Sequence, residues 1–240
     1  MSLETSAPHA ARERAALRIG GICTIVGACV FAVVRILHGD TPAADATASL
    51  DFMSGRPHYA FVHVTAVVAA LLGLAAPIGA AGSFTDPVAW ALGRIGVVSA
   101  VAGLAVFGVE STSEGLALPE LAHAAAGASP AEQADLLRAA RAVLAGTHGP
   151  SLVAVALLFG LPLVLVGAGL LRDAYPAWLA WAGIVIGAGT FAAAVGQYLD
   201  PDLMPGSVIY GLLASVLAQL WLLALAATLL RRTRPTRRNA

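Results

Sequence analysis

The chain has 240 residues, 58% of them hydrophobic and 12% charged, with 14 arginines against 14 acids and no lysine. A soluble domain carries about 25% charged and about 45–50% apolar residues, so an ordinary soluble fold is excluded. Net neutrality and the absence of lysine also exclude the basic footprint of a nucleic-acid-binding protein.

A helix needs about 20 mostly apolar residues to cross a bilayer. Residues 1–18 form a polar tail, and the first qualifying run is Ile19–His38. Its apolar stretch exceeds the roughly 7–15-residue core of a signal peptide, so it reads as a retained span although Ala44 and Ala46 follow it. Cys23 and Cys29 lie in this run, about 240° apart around a helix, and so read as packing residues and not as a bridge. After the loop Gly39–His58 come the second span, Tyr59–Ala81, and the third, Val88–Val109.

The loop Glu110–Pro150 has structure of its own. Ser129-Pro130-Ala131-Glu132 reads as an N-cap, a proline at the first helical position and a capping-box glutamate. Leu136, Leu137, Ala140, Val143 and Leu144 recur at helical spacing, which predicts an amphipathic helix over about 130–145 that ends at Gly146. Leu116 to Ala126 forms a shorter apolar piece of the same cover, which either acts as a lid or simply packs over the bundle end.

Leu152–Leu171, Ala177–Tyr198 and Val208–Leu230 complete six spans, and 231–240 forms a basic tail. Pro77 and Pro162 lie inside spans, where neighbouring helices can satisfy the freed carbonyls. Gly183 and Gly187 form a small-xxx-small pair for close packing of the fifth span. The runs lack period-two alternation and are too long for barrel strands. The expected fold is therefore all-α, a polytopic bundle of six transmembrane helices with a partly helical extracytoplasmic loop.

Arginine placement predicts orientation. Arg12, Arg14 and Arg18 precede the first span, Arg231, Arg232, Arg234, Arg237 and Arg238 follow the last, and Arg94 and Arg172 fall on the same side. That side is expected to be cytoplasmic, with ten arginines against four acids; the outer side has four arginines against ten acids and five of the six histidines. The expected location is the bacterial cytoplasmic membrane, with lipid as the obligatory partner.

Ionisable groups converge on the outer layer. His38 ends the first span with Arg35 one turn inside, His58 and His63 open the second, and Glu110 ends the third with Glu114 four residues on. His148 precedes the fourth span in a Thr-His-Gly-Pro junction, while Gln197, Tyr198, Asp200 and Asp202 close the fifth. Intramembrane ionisable groups are costly and mark functional candidates. Each has a simpler reading too: a histidine hydrogen-bonded to a neighbouring backbone, interfacial polarity, or, for Asp200-Pro201-Asp202, a solvated turn. Glu110 either pairs with a cation, with Arg35 the natural candidate, or stays protonated. Glu114 shares its face only if the helix continues.

No established motif organises these residues. His58 and His63 are five apart, about 140° around a helix, and are not the i, i+4 pair of a zinc helix. HExxH, a Walker loop, GxSxG, paired CxxC and an aspartate-rich isoprenoid motif are all absent. Pro176-Ala177-Trp178-Leu179 before a glycine-rich fifth span, His63 early in the second span, Leu92-Gly93-Arg94 opening the third and Glu110 closing it are nonetheless a pattern. With them, the chain resembles uncharacterised small six-span integral membrane proteins of high-GC bacteria. That resemblance implies a fold and a location and carries no activity.

Three functions compete. In the first, an outward-facing pocket binds a metal, haem or small amphiphile; His63, His148 and Glu110 are the metal-ligand candidates, and Arg35, His38, His58, Glu114, His148, Gln197 and Tyr198 line it. In the second, a membrane-embedded enzyme acts on a lipid-soluble, isoprenoid-like substrate, with Glu110 as general acid and His63 or Asp200 as base. In the third, the bundle supports a partner protein. A channel is disfavoured because no span carries repeated charge along one face. The sequence names no cofactor.

Overall fold

The computed structural model describes residues 6–234. They are all-helical, with no strand among the described residues. Six helical stretches are long and apolar enough to cross a membrane: Ala11–His38, Tyr59–Gly82, Pro87–Ala125, Pro130–Arg172, Ala177–Leu199 and Ser207–Arg232. Their outward faces carry apolar side chains such as Phe61, Val98, Trp178 and Val185 in exposed positions, as lipid contact requires. Glu4 and the tail arginines Arg237 and Arg238 lie outside the described residues.

Helix α1 (Ser6–His38) ends at Gly39, whose φ of +69° is a conformation that favours glycine. Arg56 closes this end by donating to the Leu37 carbonyl at 2.6 Å and the His38 carbonyl at 3.1 Å. The following loop holds a short helix that hydropathy does not announce, α2 (Ala46–Ser54), started by Asp45, whose carboxylate accepts the Thr47 and Ala48 N–H groups.

The second span is two helices, α3 (Tyr59–Gly73) and α4 (Ala75–Gly82), broken at Leu74. Pro77 cannot donate to Gly73, and α1 answers for it. The buried Thr24 hydroxyl lies 3.1 Å from the Gly73 carbonyl and 3.3 Å from that of Leu72, and accepts the Ala76 N–H at 2.8 Å. The neighbouring helix thus satisfies the freed carbonyl, as the sequence leads one to expect.

The third span does not stop at Val109. Helix α5 (Pro87–Thr112) passes through a π-helical turn, Ser113–Ala117, into α6 (Leu118–Ala125). Thr112 and Ser113 are accommodated within it, their hydroxyls folded back onto the Gly108 and Val109 carbonyls at 2.8 and 3.0 Å. Helix α7 (Pro130–Val155) begins with the expected Ser129–Glu132 capping box, but it does not end at Gly146. It runs through Pro150, a second π turn (Ala156–Gly160) and α8 (Leu161–Arg172) as one stretch. The expected loop 110–150 is therefore a helical hairpin, turned only at residues 126–129. Pro162 is accommodated beside the second π turn, where the Ser99 hydroxyl of α5 donates to the Leu157 carbonyl at 3.0 Å.

Helix α9 (Ala177–Leu199) packs closely through the glycine pair. A Cβ on Gly183 would lie 2.8 Å from the Trp221 ring, and one on Gly187 would lie 2.6 Å from the Gly160 carbonyl oxygen. The last span is π-helical over Ser207–Leu217 and continues as α10 (Ala218–Arg232). Trp221 of α10 donates to the Leu179 carbonyl at 2.8 Å.

Two layers result. The bundle core is built from residues such as Ala76, Leu163, Leu170, Leu179 and Leu225. At one end, α2, α6 and α7 form a separate apolar cap around Leu50, Met53, Tyr59, Leu118 and Leu144. The opposite end is closed by polar contacts. Arg172 donates to Asp86 at 3.0 Å and Ser83 meets Tyr175 at 2.7 Å. The Arg172 guanidinium, then the Ala89 N–H, hold the Asp86 carboxyl below its ordinary range.

Candidate metal centre

The polar residues meet beneath the cap. Helix α1 brings His38 to its C-terminus, the loop contributes Thr41, α3 places Tyr59 and His63 one turn apart, and the π turn contributes Glu114. One ligand-capable atom from each of His38, His63 and Glu114 lies within 4.8 Å of the others. The rings of His38, Tyr59 and His63 touch one another, with centroids 4.5–5.0 Å apart.

Hydrogen bonds orient the donors. His38 Nδ1 lies 2.8 Å from the Gly39 carbonyl and His63 Nδ1 lies 3.1 Å from the Tyr59 carbonyl. A carbonyl only accepts, so each Nδ1 carries hydrogen when the contact is made, and in a neutral imidazole each Nε2 then keeps its lone pair. Tyr59 Oη lies 2.9 Å from His38 Nε2, 2.8 Å from Glu114 Oε1 and 2.7 Å from Thr41 Oγ1. Thr41 also donates to Glu114 at 3.0 Å, and His38 Nε2 is 3.9 Å from Glu114 Oε1. His63 is buried, with 4% of its surface exposed.

Gly115 makes this packing possible. A Cβ there would stand 2.7 Å from both Cβ and Cγ of His63, so the ring rests directly on the π turn. Because the helix continues past Glu110, Glu114 does come to the face that Glu110 occupies. Glu110 is buried, receives a weak 3.4 Å contact from the Ser111 hydroxyl, and lies against Glu114 and Ser151.

The other expected site residues fall elsewhere. Arg35 does not pair with Glu110. Gly39 turns the chain back over the guanidinium, which donates to the Gly39 carbonyl at 2.6 Å and pairs with Asp40. His58 is exposed, preceding α3 without capping it. His148 lies inside continuous α7, with Nε2 buried and lacking a hydrogen-bond partner. Neither His148 nor Glu110 belongs to the three-residue ligand group. Gln197 ties the turn after α9, donating to the Pro201 carbonyl and accepting the Met204 N–H at 3.1 Å. Tyr198 is exposed, and so is Asp200, which accepts the Asp202 N–H at 3.2 Å in the expected turn.

Tyr59 and Thr41 are absent from the residues expected from sequence. Tyr59 had a usable signal, because it stands four residues before His63 and therefore on the same helix face. Thr41 had none. No protein family, no curated protein and no solved structure matches the chain.

Proposed function

We propose that this is a multi-pass membrane protein that binds a first-row transition-metal ion through His38, His63 and Glu114. The observation that carries this reading is the convergence of the three ligand-capable atoms within 4.8 Å, with each histidine backed by a carbonyl at Nδ1. Two imidazoles and one carboxylate with further positions open are a recurrent transition-metal set. Backing hydrogen bonds of this kind orient metal-bound histidines. In a tetrahedral site with bonds of about 2.0–2.2 Å, ligand atoms stand about 3.3 Å apart. Closing around an ion therefore needs side-chain movements of only about 1 Å.

An ion suits the site better than haem or an amphiphile. The His38, Tyr59 and His63 rings are already in contact, and a porphyrin would have to separate them. Acid catalysis from Glu110 has less support because Asp200, one of its candidate bases, is exposed in a turn. The arginine distribution further supports placing both termini in the cytoplasm of a bacterium and the metal site at the outer face of its inner membrane.

Metal analysis of detergent-purified protein after zinc loading and buffer exchange tests the site. The expected result is one zinc per chain, lost in His63→Ala and Glu114→Gln. No stoichiometric zinc, or equal zinc in both variants, would overturn it. Sidedness is tested with Ala128→Cys in a Cys23→Ser, Cys29→Ser background, which a membrane-impermeant maleimide should label from outside spheroplasts. Labelling only after lysis would reverse the orientation.

A further inference from the structure

We propose that Tyr59 is a fourth ligand of this centre, binding as a phenolate, and that the site therefore accepts oxidised iron or copper. This rests on the three-ligand reading above. Hydrogens are fewer than the contacts they must fill. Four polar contacts join His38 Nε2, Tyr59 Oη, Thr41 Oγ1 and Glu114 Oε1: His38 to Tyr59, Tyr59 to Glu114, Thr41 to Tyr59 and Thr41 to Glu114. With a neutral imidazole and an ionised carboxylate, only the two hydroxyls bring hydrogens. The His38 hydrogen is directed to Gly39 through Nδ1, and Glu114 is an acceptor. His38 Nε2 and Glu114 Oε1 thus compete for the single phenolic hydrogen.

A metal ion at the centre removes the competition. The phenol O–H bond breaks, a metal–oxygen bond forms, and the proton leaves to buffer, with no change of oxidation state. His38 Nε2 and Glu114 Oε1 then direct their lone pairs to the ion and not to the phenol hydrogen. Thr41, at 2.7 Å from Tyr59 Oη, donates to the phenolate and holds it from outside the ligand set.

The spacing agrees. Adjacent ligands of a six-coordinate ion with bonds of about 2.1 Å stand about 3.0 Å apart. Tyr59 Oη is 2.8 Å from Glu114 Oε1 and 2.9 Å from His38 Nε2, the separations of neighbouring vertices of one polyhedron. Tyr59 is also immobilised, with 1% of its surface exposed and its ring packed against Phe52 as well as the two histidines. Two anionic oxygens and two imidazoles match the preferences of iron and copper.

The test uses full-length protein in detergent, loaded separately with Cu(II) sulfate, Fe(III) nitrilotriacetate and, as a colourless reference, Zn(II). Phenolate bound to Cu(II) or Fe(III) gives a visible charge-transfer band. The band is expected in wild type, to be lost in Tyr59→Phe with zinc still bound, and to move to longer wavelength in Thr41→Val as the phenolate loses its hydrogen bond. Resonance-Raman detection of phenolate modes in the loaded wild type gives the same answer if Tyr59→Phe does not fold. Stoichiometric metal without a visible band, or an unchanged band in folded Tyr59→Phe, overturns the assignment of Tyr59 and leaves the three-ligand site standing. Failure of all three metals to bind overturns both.

Discussion

Gly115→Ala tests whether the π turn positions His63. The added Cβ would fall 2.7 Å from His63 Cβ and Cγ and 3.1 Å from Nδ1, whereas ordinary carbon–carbon contacts are about 3.5–4.0 Å. The ring or the turn must therefore move by about 1 Å. Such a movement breaks the 3.1 Å contact from Nδ1 to the Tyr59 carbonyl and turns Nε2 away from His38 and Glu114. Losing an orienting partner of a metal-bound histidine typically costs 10–100-fold in affinity, or about 1.4–2.8 kcal/mol. Stability should respond less: overpacking costs about 1–3 kcal/mol, offset by up to about 1 kcal/mol from exchanging glycine for alanine in a helix. Zinc affinity is thus the sharper readout, measured by competition with a chromophoric chelator. Gly108→Ala is the control, because a Cβ there meets nothing within 4 Å. Zinc binding by Gly115→Ala as tight as wild type, or equal weakening in both variants, would refute the reasoning.

Other parts of the fold can be tested in the same way. Thr24→Val should destabilise the bundle by about 1–3 kcal/mol, because buried backbone groups lose their partner; Thr24→Ser should restore it in thermal unfolding in detergent. Gly187→Ala should destabilise by a similar about 1–3 kcal/mol, since its Cβ would meet the Gly160 carbonyl oxygen at 2.6 Å, whereas Gly189→Ala, with open space around it, should be neutral or mildly stabilising. Asp86 is held below its ordinary value of 3.8 first by Arg172 and then by the Ala89 N–H. Its contribution is therefore full above pH 3.8 and lost as pH falls through the lower folded value. Asp86→Asn should flatten that acid limb of a stability–pH profile and leave neutral-pH metal binding unchanged.

Legibility followed the length scale of the physics. A span announces itself through some twenty consecutive apolar residues, so six crossings were readable, as was the need for a neighbour beside Pro77. Which neighbour was not readable, because Thr24 is an unremarkable threonine until α1 and α3 are side by side. The helices expected within 110–150 are present but longer than expected, because hydropathy treats Glu110 to Ser113 as an exit from the bilayer. The backbone treats the same residues as helix, the Thr112 and Ser113 hydroxyls bonding to carbonyls four residues back. Depth alone likewise grouped His148 and Glu110 with His63. Depth carries no angle around a helix, and the angles select His38 and Glu114 instead.

The bond from Thr24 across to Gly73 also constrains how the protein is made. A carbonyl left bare in hydrocarbon costs several kcal/mol, so the second span cannot enter lipid alone without that penalty. Once it lies against the first span, the Thr24 hydroxyl faces the Gly73 and Leu72 carbonyls and takes the Ala76 N–H. The first two spans therefore satisfy that carbonyl only as a pair. A second span inserted before its predecessor would carry the bare Gly73 carbonyl in lipid until the Thr24 hydroxyl lay beside it.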